Sequence, residues 1–169
     1  AALKERGKSE LLEIVRGILP PGISCVYIRQ HSPQGLGHAV LCAKQLNMHE
    51  PFAVLLADDL IDSDRQPCLK QMVEVFNAKQ ASVIAVEQVN PLEIKKYGVV
   101  DVANDEELIA PILNIVEKPD PNHAPSNLGV VGRYILTPSV FSLLEATRQG
   151  SNGEIQLTDA IAQLLTLEP

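Results

Sequence analysis

Apolar and polar positions along this chain fall into short blocks of two different periods. Phe52-Ala53-Val54-Leu55-Leu56-Ala57 is an apolar run too short for an ordinary helix, and it is stopped by two adjacent carboxylates, Asp58 and Asp59. Such a run predicts a strand buried on both faces, as in a parallel sheet. Before it, Leu3, Leu11, Ile14, Val15 and Ile18 make one helical stripe opposite Lys4, Glu5, Lys8, Glu10 and Glu13. Pro20-Pro21-Gly22 closes that helix, and Ile23 to Ile28 reads as a strand with Val26 and Ile28 on one face. A polar loop, Arg29 to His38, then leads into Ala39, Val40, Ala43 and Leu46 at helical spacing.

The second half continues the alternation. Leu69, Met72, Val73 and Phe76 predict a helix, and Ala81 to Val86 a strand. Helix and strand at this spacing imply βαβ crossovers, hence an α/β fold with a mostly parallel sheet flanked by helices. Tyr97 to Val102 alternates instead, and the turn residues Asn104-Asp105 separate it from Ile112 to Val116, which predicts an antiparallel excursion and a mixed sheet. Leu128 to Ile135 is another strand, with Gly129 and Gly132 letting something approach its backbone. Thr137-Pro138 is a helix start, with Thr137 as N-cap. The polar loop Gly150-Ser151-Asn152-Gly153-Glu154 precedes a last stripe, Leu157, Ala160, Ile161, Leu164 and Leu165.

Composition narrows the class. With 169 residues, 46% of them apolar, the chain suffices for one substantial core or for part of a larger domain. No apolar run approaches the ~20 residues that span a bilayer, so no membrane partner is expected. A net charge of -7 without a block of like charge argues against a nucleic-acid surface. Cys25, Cys42 and Cys68 are odd in number and irregularly spaced, which predicts buried free thiols in a reducing cytoplasm rather than disulfides or a zinc site.

Four features carry candidate chemistry. In open α/β sheets ligands bind beyond the carboxyl ends of the strands, so Asp58 or Asp59 sits where a phosphate-bound Mg²⁺ would be held; that ion takes only one or two carboxylates. Both residues equally suit a solvated strand end. Gly35-Leu36-Gly37 before a helix offers free N–H groups to an anion or a base, though glycine turns also occur without any ligand. Gln30 with the Gly35 backbone would present a donor and an acceptor to a pyrimidine edge. Glu117-Lys118-Pro119 ends a strand with an acceptor for sugar hydroxyls and a donor for phosphate; a surface ion pair worth under ~1 kcal/mol has the same sequence.

Taken in order, these residues resemble a known family. Gln30, Gly35-Leu36-Gly37-His38-Ala39, Leu55-Leu56-Ala57-Asp58-Asp59, Tyr97-Gly98-Val99-Val100, Glu117-Lys118-Pro119, Ser126-Asn127-Leu128, Val131-Gly132-Arg133-Tyr134 and Glu154-Ile155-Gln156-Leu157-Thr158-Asp159-Ala160-Ile161 are similar to the bacterial UTP–glucose-1-phosphate uridylyltransferases, also called UDP-glucose pyrophosphorylases. The resemblance spans essentially the whole chain. It implies a Rossmann-like, three-layer nucleotidyltransferase fold, and an enzyme that transfers a uridylyl group from UTP to glucose 1-phosphate, giving UDP-glucose and pyrophosphate. It further implies Mg²⁺ as cofactor, Asp58 as its ligand, and Gln30 and Gly35 as uracil contacts. Gly98, Glu117 and Val130 are implied as the glucose pocket and Lys118 as the partner of the sugar phosphate. A cytoplasmic homo-oligomer acting on small molecules is the corresponding expectation.

The departures shape the expected domain organisation. The family's Gly-x-Gly-Thr-Arg-type triphosphate loop and its downstream lysine have no counterpart here, nor has a second metal-binding aspartate. Residues 1–169 are therefore expected to be a central fragment: the sugar-binding part of a single nucleotidyltransferase domain, lacking its N-terminal triphosphate loop and C-terminal segment. A sibling thymidylyltransferase is the alternative within the fold; the Glu-Ile-Gln-Leu-Thr-Asp run argues against it. A non-catalytic sugar-nucleotide-binding module would also lack the triphosphate loop.

Overall fold

Nine consecutive residues, Leu128–Leu136, form the strand β5, with which three of the four other strands among the described residues pair. The computed structural model describes residues 2–46, 49–63, 65–150 and 152–168. Strand β1, Phe52–Leu55, pairs with one end of β5, Phe52 opposite Leu136 and Leu55 opposite Arg133. On the other edge of β5 lies β2, Val83–Gln88, from Val83 opposite Ile135 to Gln88 opposite Leu128, with a bulge between Ile84 and Val86. Strand β3, Gly98–Val102, joins the β1 edge lower down, Val99 opposite Gly129, and carries β4, Ile112–Glu117, on its outer side.

All of these pairings are antiparallel. The expectation of a mostly parallel sheet is therefore corrected, and the reason is specific. β1 and β2 do run in the same direction, joined by the helix α4, Cys68–Lys79, as the crossover pattern predicts. The later strand β5 is inserted between them in the opposite sense. The hairpin-like pair β3/β4 is found as expected.

Most of β5 is buried, as a strand covered on both faces should be. Over one face pack α5 (Ser139–Ala146), α6 (Leu157–Leu164) and Val40 of α3 (Leu36–Cys42), closing a core of Val100, Val130, Tyr134, Leu136, Phe141, Leu144 and Ile161 among others. Phe52 and Phe141 stack there with ring centroids 4.9 Å apart. Met72 of α4 is buried outside that core, and α4 lies against β2 and β5, so helices flank the sheet on both sides. Val99 and Val100, adjacent on β3, are both fully buried because they enter two different apolar clusters. Ser126 fastens this region: its hydroxyl donates to Val100 O at 2.6 Å and accepts from Leu128 N at 2.9 Å.

Other expectations change. The first helix is two pieces, α1 (Ala2–Glu5) and α2 (Ser9–Gly17), parted where Gly7 takes φ +66. Leu3 of the predicted stripe has no described side chain, and Ser151 of the predicted loop lies outside the described residues. Ile23 to Ile28 forms no strand: among the described residues nothing pairs with it, and an extended segment without ladder partners gains no sheet stability. Thr137 does not cap α5, which begins one residue later than expected; its hydroxyl donates to the Glu168 carboxylate instead. The cysteines are free, but none is buried, Cys25 being fully on the surface segment. No helix among the described residues is long and apolar enough to cross a membrane.

The first thirty residues thus carry apolar groups that find no core. Ile14 is 64% exposed, Ile18 69% and Val26 65%. The outer edge of β1 is likewise unpaired among the described residues and borders an apolar groove lined by Leu36, Ala39, Val40, Ala43 and Phe52. Open strand edges and contiguous apolar surface promote association. Residues 1–169 expressed alone are expected to run above monomer mass in light-scattering-coupled size exclusion; a monomer at tens of micromolar would contradict this.

Candidate functional site

The edge of β5 that carries both β1 and β3 is forked. β1 ends at Leu55 opposite Arg133, and β3 makes contact again only at Gly129. Between them the strands splay, and the gap is a cleft of about 370 Å³. Its walls include Asp58, Asp59, Gly98, Glu117, Lys118, Val130, Tyr134 and Thr158. Residues more than seventy positions apart in sequence are thus gathered by one strand's divided edge.

The turn after β1 is clamped from β5. Leu56 N donates to Gly132 O at 2.9 Å, and the Arg133 guanidinium donates to the carbonyls of Leu56, Gly132 and Asp59 at 2.9, 3.1 and 2.5 Å. Three carbonyls on one planar cation fix where Asp58 and Asp59 point. Gly132 takes φ +59, and a Cβ there would lie 2.0 Å from Asp59 Oδ2, so only glycine lets the turn come this close.

The opposite wall is built at the end of β4. Glu117 is mostly buried, and its Oε2 accepts from Thr158 Oγ1 at 3.0 Å. Lys118 follows with φ +45, an uncommon conformation for a residue with a side chain, held by its N–H on Tyr97 O at 2.9 Å. Its ammonium lies 3.5 Å from Glu117 Oε1, and its half-exposed side chain lines the cleft. Gly98 forms the floor between them: a Cβ there would be 2.9 Å from Thr158 Cγ2, 3.3 Å from Glu117 Oε2 and 3.7 Å from Val130 Cγ2.

The structure therefore brings together Asp58, Gly98, Glu117, Lys118 and Val130. Gln30 and Gly35 lie beside the cleft rather than in its lining; only Leu36 next to them reaches it. They do touch each other, Gln30 Nε2 donating to Gly35 O at 3.1 Å and to His38 Nδ1 at 2.9 Å. The glycines have a packing reason as well. A Cβ on Gly35 or Gly37 would strike Ile155 O at 2.8 or 2.7 Å, and Gly37 N already donates to that carbonyl. The α3 N-terminus is accordingly engaged by the chain itself.

Three participants went unassigned by sequence reasoning: Arg133, Tyr134 and Thr158. All lie inside quoted motifs, yet no local pattern says that Tyr134 and Thr158 line the cleft or that Arg133 clamps its turn. Tyr134 is buried, and its phenol is pushed up to about 12 by burial first, then by the Glu117 and Asp59 carboxylates. Overall the lining holds four carboxylates, Asp58, Asp59, Glu117 and Glu154, against two ammonium groups, Lys96 and Lys118. No group of three or more His, Cys, Asp or Glu poised for a metal occurs among the described residues.

The sequence and the fold that build this cleft have counterparts among known proteins. Residues 3–168 match the nucleotidyl transferase family, and the chain belongs to it. It is 45% identical over 163 residues to a UTP–glucose-1-phosphate uridylyltransferase of Bacillus subtilis (strain 168), covering 96% of this chain and 55% of that protein. A second enzyme of that name and strain, YngB, is 41% identical over 167 residues, covering 99% and 56%. The structure of a UDP-glucose pyrophosphorylase complexed with UDP-glucose superposes with a TM-score of 0.86 at 44% identity, covering 96% of this chain and 62% of its own. UTP-bound UGPase from Acinetobacter baumannii gives 0.83 at 44%, covering 99% and 58%. The chain thus spans about half the length of the curated relatives it matches.

Tyr134 ties the cleft to pH. Its folded pKa of about 12 exceeds the ordinary 10.0, so the neutral phenol favours the folded state. That contribution is complete below pH 10, where the phenol is neutral folded or unfolded, and is lost as pH rises through 12. Tyr134→Phe should flatten the decline of urea-unfolding free energy between pH 10 and 12, by about 2 kcal/mol at the upper end. An unchanged slope would mean that the phenol ionises as freely folded as unfolded.

Proposed function

We propose that the protein carrying this chain transfers a uridylyl group from UTP to glucose 1-phosphate, releasing UDP-glucose and pyrophosphate. On this reading residues 1–169 are the central, sugar-binding part of a single nucleotidyltransferase domain. The observation that carries it is the convergence of Asp58, Gly98, Glu117, Lys118 and Val130 on one cleft, in a chain 41–45% identical to enzymes of that name. A cytoplasmic location and a homo-oligomeric state belong to the same reading.

The chemistry asks for placement more than for a base. An anionic phosphate oxygen of the sugar attacks the α-phosphorus of UTP and pyrophosphate leaves, so no proton must be removed from the nucleophile. Lys118 is set to hold the sugar phosphate, its strained backbone aiming the ammonium into the cleft. Glu117 offers acceptors to the sugar hydroxyls, while Gly98 and Val130 shape the space beside it. Gln30 and the Gly35 carbonyl sit next to the cleft, where the base of UTP would lie against them.

A divalent cation fits the residues present. Four carboxylates against two ammonium groups make a surface that repels phosphates unless a cation accompanies them. Asp58, at the clamped turn, is the residue to hold it; Mg²⁺ needs only one or two carboxylates when phosphates and water complete its shell. When bound, such an ion neutralises charge on the phosphates.

Two substitutions in the full-length protein separate these roles. Lys118→Ala should raise the KM for glucose 1-phosphate by about tenfold and lower kcat, with the KM for UTP changed less; unchanged sugar-phosphate affinity by calorimetry would return Lys118 to a surface pair with Glu117. Asp58→Asn should cut kcat by about a hundredfold while sugar-phosphate binding holds. Wild-type turnover in that variant would remove Asp58 from the metal role and leave Asp59 as the candidate.

A further inference from the structure

We infer that Thr158 is a positioning residue for sugar recognition: its hydroxyl holds the Glu117 carboxylate in the orientation that accepts sugar hydroxyls, and keeps it off Lys118. The inference rests on the function proposed above. Apart from the Tyr134 phenol, Thr158 is the one buried polar side chain among the described residues, 5% exposed, in the first turn of α6. A hydroxyl placed there costs stability unless it is bonded, and its partner is Glu117 Oε2 at 3.0 Å.

The geometry around that bond says what it does. Glu117 Oε1 lies 3.5 Å from Lys118 Nζ, well beyond the roughly 2.7–2.9 Å of a charge-assisted N–H···O bond. The other oxygen of Glu117 is the one that is hydrogen-bonded, to Thr158, and Lys118 is the one cation within ion-pair distance of the carboxylate among the described residues. Thr158 holds the carboxylate back, so the ammonium stays available for phosphate and the carboxylate for hydroxyls. The methyl of Thr158 acts in the same place. Together with Glu117 Oε2 it brackets Gly98, leaving room for no side chain there. Thr158 also ends the segment whose Ile155 bonds Gln34 O and Gly37 N, so the sugar-facing carboxylate and the glycine loop are braced from one stretch of chain.

The test uses the full-length protein with Thr158→Val, which keeps shape and removes the donor, and Thr158→Ser, which keeps the donor. Val should raise the KM for glucose 1-phosphate by about tenfold and shift the KM for UTP by less than about twofold, with Ser near wild type. A merely structural threonine would instead lower thermal stability in both variants and move both KM values together, which overturns the inference. Unchanged sugar-phosphate KM in the Val variant overturns it too. If Val does not accumulate, calorimetry of glucose 1-phosphate binding to Thr158→Ala decides, and an unaltered affinity is again fatal. Wild-type protein unable to form UDP-glucose overturns the proposed function and this inference with it; wild-type transfer with an unaffected Val variant overturns the inference alone.

Discussion

The divided edge of β5 is the constraint on which the site depends. A strand can pair with only two neighbours, and β5 gives one edge to β2, whose register is broken between Val130 and Tyr134. On the other, β1 and β3 must share nine residues, and between Gly129 and Arg133 neither is in register. Backbone groups in such a gap need other partners. Gly132 finds one in Leu56 N, and Arg133 adds its guanidinium, so the gap is held open by bonds rather than collapsed. The fork that interrupts the ladder is the same feature that makes room for a ligand.

Electrostatics then selects what kind of ligand. A cleft with an excess of carboxylates would be a poor place for a phosphate by itself. The same excess is useful when the substrate brings a cation, because each component repairs the other's charge. On the proposed reading the cation, rather than further lysines, completes the charge balance of a lining whose ammonium groups are Lys96 and Lys118. Relaxing Lys118 to an ordinary conformation would re-aim its side chain, and its neighbour Glu117 would lose the separation that Thr158 maintains.

Much of this was legible in the sequence, because element type follows from local periodicity. The runs at Phe52–Leu55 and Leu128–Leu136, the helix from Cys68, and the β3/β4 pair all announced themselves. Strand direction did not. Whether β5 enters between β1 and β2 depends on contacts spanning some eighty residues, which no window contains. The apolar run at Ile23 to Ile28 misled for the opposite reason: a strand pattern states a capacity, and pairing requires a neighbour that the described residues do not supply. Asp58, Glu117 and Lys118 were visible as candidates because charges at strand ends are conspicuous. Thr158 was invisible because a hydroxyl on a helical stripe reads as a tolerated polar residue until its partner is seen.

The two glycines of the Gly35-Leu36-Gly37 loop show how a motif read for its ligand can have a second physical cause. Their missing side chains face Glu154 and Ile155, not open solvent. Ile155 donates to Gln34 O and accepts from Gly37 N, so the loop and the Glu-Ile-Gln-Leu-Thr-Asp run are two sides of one backbone contact. That contact requires glycine on one side whether or not a base is bound. It also requires the other side to be extended just where α6 begins, which sets Thr158 at the first turn and hence beneath Glu117. Motifs 120 residues apart thus occur together because each fixes the geometry of the other. A substitution at Gly37 should be felt at Glu117 through this path, by displacement of α6, before any effect on a nucleotide is considered.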